Sequence, residues 1–355
     1  MAPAARARTT PRVRRDRKSA SSWTRLPDAQ LLGQRLRDLK LRIAGTPLEH
    51  CIDKLYTELE DKGLTFRPHC WLAEEWFSPD GVPGIAIPFY LSHRRLMRLE
   101  RRMMREVEGG NEKWMMRILR HEAGHAIDSA FRLRRRRRWR EIFGPASRPY
   151  PDSYRPRPGS RRFVQHLGSW YAQSHPTEDF AETFAVWLKP RASWKRSYER
   201  WPALEKLRYV DEVMAELKGA VPLVRTRVQI DPISVERRTL DQLYRSRRAH
   251  HVSDRPRTTD DQLLRVFTTE RATARRMRAA TLIRRLKLPL CRTVARELDT
   301  SEYLVHQVLR LLIERCRTLG LYARDPVRVA KHRIERLVCR IARLYLSGSA
   351  GRHVL

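Results

Sequence analysis

Residues 120–128 read RHEAGHAID, and the rest of the chain is best read outward from them. Trp114, Ile118, His121, His125 and Ala126 recur at helical spacing behind Asn111, which predicts one long helix over residues 111–139. On that helix His121 and His125 stand four residues apart and project from one face, a turn apart, so both imidazoles reach a single metal ion. Glu122 points beside the ion, where a carboxylate can take a proton from an activated water. Ala123 and Gly124 are small and permit close packing by a second element.

An open catalytic zinc needs a third protein ligand. The pattern HExxHxxGxxH would supply a histidine, but Asp128 and Phe131 occupy its glycine and last-histidine positions, which excludes that class. A carboxylate from a second helix is the alternative. The stretch HPTEDFAETFAVWL predicts such a helix, starting near Pro176 and ending before Pro190, and it offers Glu178, Asp179 and Glu182. Glu178 and Glu182 share a face, so one can bind metal while the other accepts a proton from a ligand histidine. We take Glu178 as ligand and Glu182 as support, with the reverse assignment open. Asp128, seven residues after His121 and at nearly its helical angle, is a candidate to orient a ligand imidazole.

HEAGH followed by E-D-F-A-E resembles the glutamate-zincin metallopeptidases, in particular bacterial zinc-binding metallopeptidases and the lethal-factor-like group. The resemblance covers roughly residues 70–190. It implies Glu178 as the zinc ligand, an aspartate at Asp128, and a tyrosine seven residues before the ligand, Tyr171, whose hydroxyl stabilises the oxyanion. It also implies a strand beside the motif helix that binds extended substrate by strand addition. Within VPGIAIPFYL, residues 82–91, the segment 83–91 is the candidate: Ile85, Ile87, Phe89 and Leu91 alternate onto one face, and Pro88 predicts a sheet edge.

Around this centre, residues 28–62 carry helical periodicity through Leu31, Leu36, Leu39, Ile52, Leu55 and Leu59, with a start signal at Thr46-Pro47. A Pro- and Arg-rich loop runs from about Gly144 to Ser160. Beyond about Pro222 the chain turns to basic helices: residues 223–355 hold thirty basic and thirteen acidic residues. The last helix reads from an Asp325 cap through Val329, Ile334, Leu337, Val338, Ile341 and Leu344 to Gly348. Within CRTVARELDTSEYLVHQVLRLL, residues 291–312, Ala295 and Val305 fit the core of a helix-turn-helix, and Asp299 stands where glycine is favoured. A recognition helix from Glu302 would present His306, Gln307 and Arg310.

The formal net charge is +34, mostly from arginine, and a 41% hydrophobic content with nine Trp belongs to a globular chain. Such a field suits an anionic partner, nucleic acid or acidic protein, although solvated arginine faces give the same composition. The seven arginines of RLRRRRRWR, residues 132–140, read either as an anionic docking patch or as a solvated helix end. Five cysteines without a CxxC pair predict a reducing compartment, the cytoplasm. No apolar run is long enough to span a membrane. Residues 1–24 read as a disordered basic tail, with a transit peptide as the alternative.

The expected architecture is α+β and predominantly helical: a zincin-like metallopeptidase domain over 25–222, then a basic all-helical domain over 223–355. The expected function is hydrolysis of a protein or peptide substrate with one zinc ion per chain. The alternative is a non-catalytic nucleic-acid-binding or regulatory protein with a structural metal site.

Overall fold

The computed structural model describes residues 22–104, 107–151, 153–154, 156–168, 170–254, 257–270, 277–300, 302–346 and 353–354. The motif helix spans Glu112–Phe131. Asn111 caps it, its side chain accepting from the Trp114 amide at 3.0 Å and so satisfying one first-turn amide that has no helical partner. The helix stops short of residue 139. Arg132 takes a left-handed conformation (φ 54°), a 3-10 turn spans Leu133–Arg135, and a separate helix spans Arg137–Phe143. Leu133 and Trp139 account for the break: both are fully buried, yet six residues along a straight helix would turn them about 120° apart.

The acidic helix spans Pro176–Leu188, with Pro176 in the first turn and the His175 side chain capping the Thr177 amide. It lies across the motif helix with Gly124 against the backbone of Ala181. Its polar residues Thr177, Glu178, Asp179, Glu182 and Thr183 are all buried, so it is not a solvated acidic face. Further support comes from the helix Pro47–Glu60, capped by Thr46 as expected. Its Glu58 forms a buried two-point ion pair with Arg120, at 2.6 and 2.7 Å.

Strands β1 (His69–Ala73) and β2 (Gly84–Pro88) pair in parallel beneath these helices. All five β2 residues are buried, so both faces pack rather than one. Pro88 ends the strand, and Phe89–Ser92 forms a 3-10 turn instead of continuing it to residue 91. The outer edge of β2 is engaged at Ala86, whose amide and carbonyl both bond Phe77. The outer edge of β1 receives the Ile233 amide at Leu72 and the Ile230 carbonyl at the Trp71 indole. The expectation that residues 83–91 offer a free edge for substrate is therefore not met: the chain's own loops occupy it.

Among the described residues two large apolar cores are separate, beside a small third cluster of Trp71, Ala73 and Ala86. The first extends from Trp23 through Ile233, Leu240, Leu243 and Tyr244, and the second begins at Leu263. The apolar division thus falls later than the compositional change near Pro222, because residues 228–233 run along β1. In the second unit the helices Ala279–Arg285, Lys287–Glu297, Glu302–Thr318 and Val327–Leu346 pack together, with one short antiparallel pair between Phe267–Thr268 and Tyr322–Ala323. The helix-turn-helix-like hairpin is present: Ala295 and Val305 are buried, and Asp299 has φ 45°, the conformation that glycine favours. The last helix buries Ile334, Leu337, Val338 and Ile341 but exposes Val329. Its expected stop at Gly348 and most of the expected basic tail, residues 1–21, lie outside the described residues. At the junction, Ser22–Arg25 forms a 3-10 turn with Trp23 buried.

Candidate metal centre

His121 and His125 leave the motif helix on one face, and their Nε2 atoms lie 3.2 Å apart. Glu178 Oε2, from the first turn of the acidic helix, is 3.0 Å from His121 Nε2 and 3.1 Å from His125 Nε2. Three ligand atoms from two helices therefore converge on one point. On the far side of the same imidazole, His121 Nδ1 meets Glu182 Oε1 at 3.0 Å. Glu182 Oε2 accepts the Leu167 amide at 2.8 Å. A carboxylate at Nδ1 fixes the proton there, which turns the Nε2 lone pair toward Glu178.

The donor set fits a divalent cation. Two imidazole lone pairs and a carboxylate oxygen at about 3 Å from one another repel unless a positive charge sits among them. Burial works against charge on His121, but the Glu178 and Glu182 carboxylates outweigh it and hold the imidazole well above its ordinary pKa. Burial likewise opposes ionisation of Glu178, yet the two histidines hold its carboxyl well below the usual range. The site thus demands cationic charge, and two nitrogens with one oxygen is a donor set of the kind catalytic zinc takes, with a fourth position left for water or substrate.

Residues 97–212 match the model of a family described as "Putative zinc-binding metallo-peptidase". That segment, about a third of the chain, is similar to the family. It contains His121, Glu122, His125 and Glu178, and its HExxH and downstream glutamates form a glutamate-zincin motif. Comparison with curated proteins and with solved structures gave no match.

Other expected residues fall as follows. Glu122 is buried and lines a cleft beside His121 without joining the converging triad. Burial pushes its carboxyl above the ordinary value, against the pull of His121 and His125. Tyr171 lines the same cleft, its ring centroid 5.5 Å from that of His121. Glu182 stands behind His121 rather than at the point of convergence. Asp128 differs from expectation: its Oδ1 accepts the Arg134 amide at 2.8 Å and its Oδ2 the Arg134 guanidinium at 2.6 Å. Seven residues restore the helical angle but also carry the side chain about 10 Å along the axis, so Asp128 ties the helix end to the next turn instead of meeting an imidazole.

Three contacts were not foreseen from the sequence. The Tyr150 hydroxyl donates to Glu178 Oε1 at 2.8 Å and also touches Thr177, while its ring stacks on His175 at 3.8 Å. Tyr150 comes from the Pro/Arg-rich loop, where no periodicity marks a functional side chain. His166, buried beside Glu182, bonds the Arg117 carbonyl at 2.8 Å, and burial lowers its pKa to about 4. The third is the Leu167 amide at Glu182 already described.

Four of the seven arginines of the run are paired. Arg134, Arg136, Arg137 and Arg138 pair with Asp128 and Asp80, Glu216, Glu141 and Glu212 respectively. The docking reading therefore rests on fewer unpaired charges than the sequence suggests, while Arg137 and Arg138 stay exposed as the solvated reading expects. Among the described residues no helix is long and apolar enough to cross a membrane.

Proposed function

We propose that this chain is a zinc metallopeptidase that hydrolyses peptide bonds in a protein or peptide substrate. The observation that carries the reading is the convergence of His121, His125 and Glu178 beside the buried Glu122. His121, His125 and Glu178 would hold one zinc ion. When bound, zinc supplies Lewis acidity to a water and to the scissile carbonyl. Glu122 takes a proton from the attacking water and delivers it to the leaving amine. Its raised proton affinity suits that shuttle. Tyr171 donates to the oxyanion as charge develops. Glu182 orients His121, and Tyr150 holds the Glu178 carboxylate so that Oε2 faces the histidines. Asp128 has a structural role at the helix end.

All five cysteines are free, four of them buried, which supports a reducing compartment such as the cytoplasm. A nucleic-acid role for the second unit draws on its basic composition and its hairpin. It loses support from Gln307, which is buried, and from Arg310, which bonds Gln165 of the first unit at 2.7 Å. The discriminating experiment is a proteolysis assay on zinc-loaded wild type and Glu122→Gln, beside DNA retention over a salt gradient. Hydrolysis lost in Glu122→Gln supports the peptidase. Strong salt-dependent retention with no metal-dependent hydrolysis supports the alternative.

A further inference from the structure

The helix Glu302–Thr318 has two working faces. Val305, Val308, Leu309, Leu312, Ile313 and Cys316 are buried in the core of the second unit. Gln307, Leu311, Glu314 and Thr318 follow at spacings of four, three and four residues, which is a single stripe on a helix. That stripe borders the cleft of about 500 Å³ that also holds His121 and Glu122. One wall of the cleft is therefore built on a core that is not the core of the metallo-peptidase segment. Among the described residues the contacts between the two units include Arg310 to Gln165 at 2.7 Å, Tyr345 edge-on to Trp170 at 5.3 Å, and the pairing of Ser153–Tyr154 with His353–Val354.

The cleft is also lined by Trp114 and Ile118, two turns and one turn before His121 and Glu122 on the motif helix. Leu311 is the apolar member of the stripe and is half-buried there. Trp114, Ile118 and Leu311 thus line the same cleft as His121 and Glu122. The charged residues lining the cleft carry both signs, Glu108, Glu122 and Glu314 with Arg117, Arg310 and Arg315.

We propose that the helix Glu302–Thr318 is the specificity wall of the cleft, and that Leu311 with Trp114 and Ile118 receives a large apolar side chain next to the scissile bond. This rests on the peptidase reading above. A cleft of this size accommodates such a side chain with the backbone around it.

The test uses the full-length zinc-loaded chain and three probes that bind through a hydroxamate: acetohydroxamate, glycine hydroxamate and phenylalanine hydroxamate. Affinities are measured by calorimetry for wild type and Leu311→Ala, with zinc content and thermal unfolding recorded for each. Wild type should prefer the phenylalanine probe over the glycine probe by about tenfold or more. Leu311→Ala should lose most of that preference while keeping its zinc and its affinity for acetohydroxamate. An unchanged preference in Leu311→Ala, or none in wild type, overturns the proposal and leaves the peptidase reading standing. Failure of zinc-loaded wild type to bind acetohydroxamate overturns both, because the metal would then have no open position.

Discussion

Gly124 and Ala181 are in backbone contact: a Cβ at position 124 would lie 2.8 Å from the Ala181 Cα and 3.1 Å from its carbonyl oxygen. This contact sets the distance between the motif helix and the acidic helix, and with it the reach of Glu178 to the two histidines. Backbone atoms cannot yield as a flexible side chain can. Gly124→Ala should therefore push the helices apart, destabilise the fold by about 1–3 kcal/mol and weaken zinc binding tenfold or more. Thermal unfolding and a zinc titration measure the two effects; unchanged zinc affinity would show that the contact does not set the site.

The two tyrosines should separate by phenotype. Tyr150 touches Glu178, so Tyr150→Phe is expected to lower zinc affinity about 10- to 100-fold. Tyr171 lines the cleft beside His121, so Tyr171→Phe should keep the zinc and lower kcat by roughly 100-fold or more. Zinc affinity and steady-state kinetics on both variants distinguish them, and the reverse pattern would exchange the proposed roles.

Glu58 and Arg120 brace the residue before His121 from the neighbouring helix, with 4% and 10% of their side chains exposed. Removing one partner of such a buried pair strands the other charge. Glu58→Ala should cost about 3–5 kcal/mol, read from denaturant unfolding. A loss below about 1 kcal/mol would mean that solvent reaches Arg120 more readily than its burial indicates.

His166 gives the chain an acid-sensitive element. Burial holds its folded-state pKa near 4, whereas an unfolded histidine titrates near 6.5. Between those values the unfolded chain binds the extra proton, so stability from this group is complete above about 6.5 and is lost as pH falls toward 4. Stability measured across that window should fall less steeply in His166→Gln than in wild type. Identical slopes would assign the acid sensitivity elsewhere.

How much of this was legible in the sequence depends on whether the signal was local. The Asn111 cap, the Pro176 start and the two motifs rest on helical spacing and capping chemistry, and each helix start appears where those rules put it. The break at Arg132 was missed because an arginine run has good helix propensity, while the burial of Leu133 and Trp139 is a tertiary demand. The strand at residues 84–88 was found, but its environment was not: two buried faces and an edge engaged by Phe77 depend on distant chain. Asp128 shows that angular equivalence on a helix does not give contact when two turns of rise intervene. Tyr150 had no periodic neighbour to mark it, and the stripe of Gln307, Leu311 and Glu314 is visible as spacing yet acquires meaning only where two separate cores meet at the cleft.

The most direct test of the account is zinc content by elemental analysis of purified, metal-replete wild type, Glu122→Gln and Glu178→Ala. The account predicts about one zinc per chain in wild type and in Glu122→Gln, and its loss in Glu178→Ala, because Glu178 Oε2 meets both histidines whereas Glu122 meets neither. Wild type without zinc would contradict the metal centre itself, and full zinc retention in Glu178→Ala would contradict the ligand assignment.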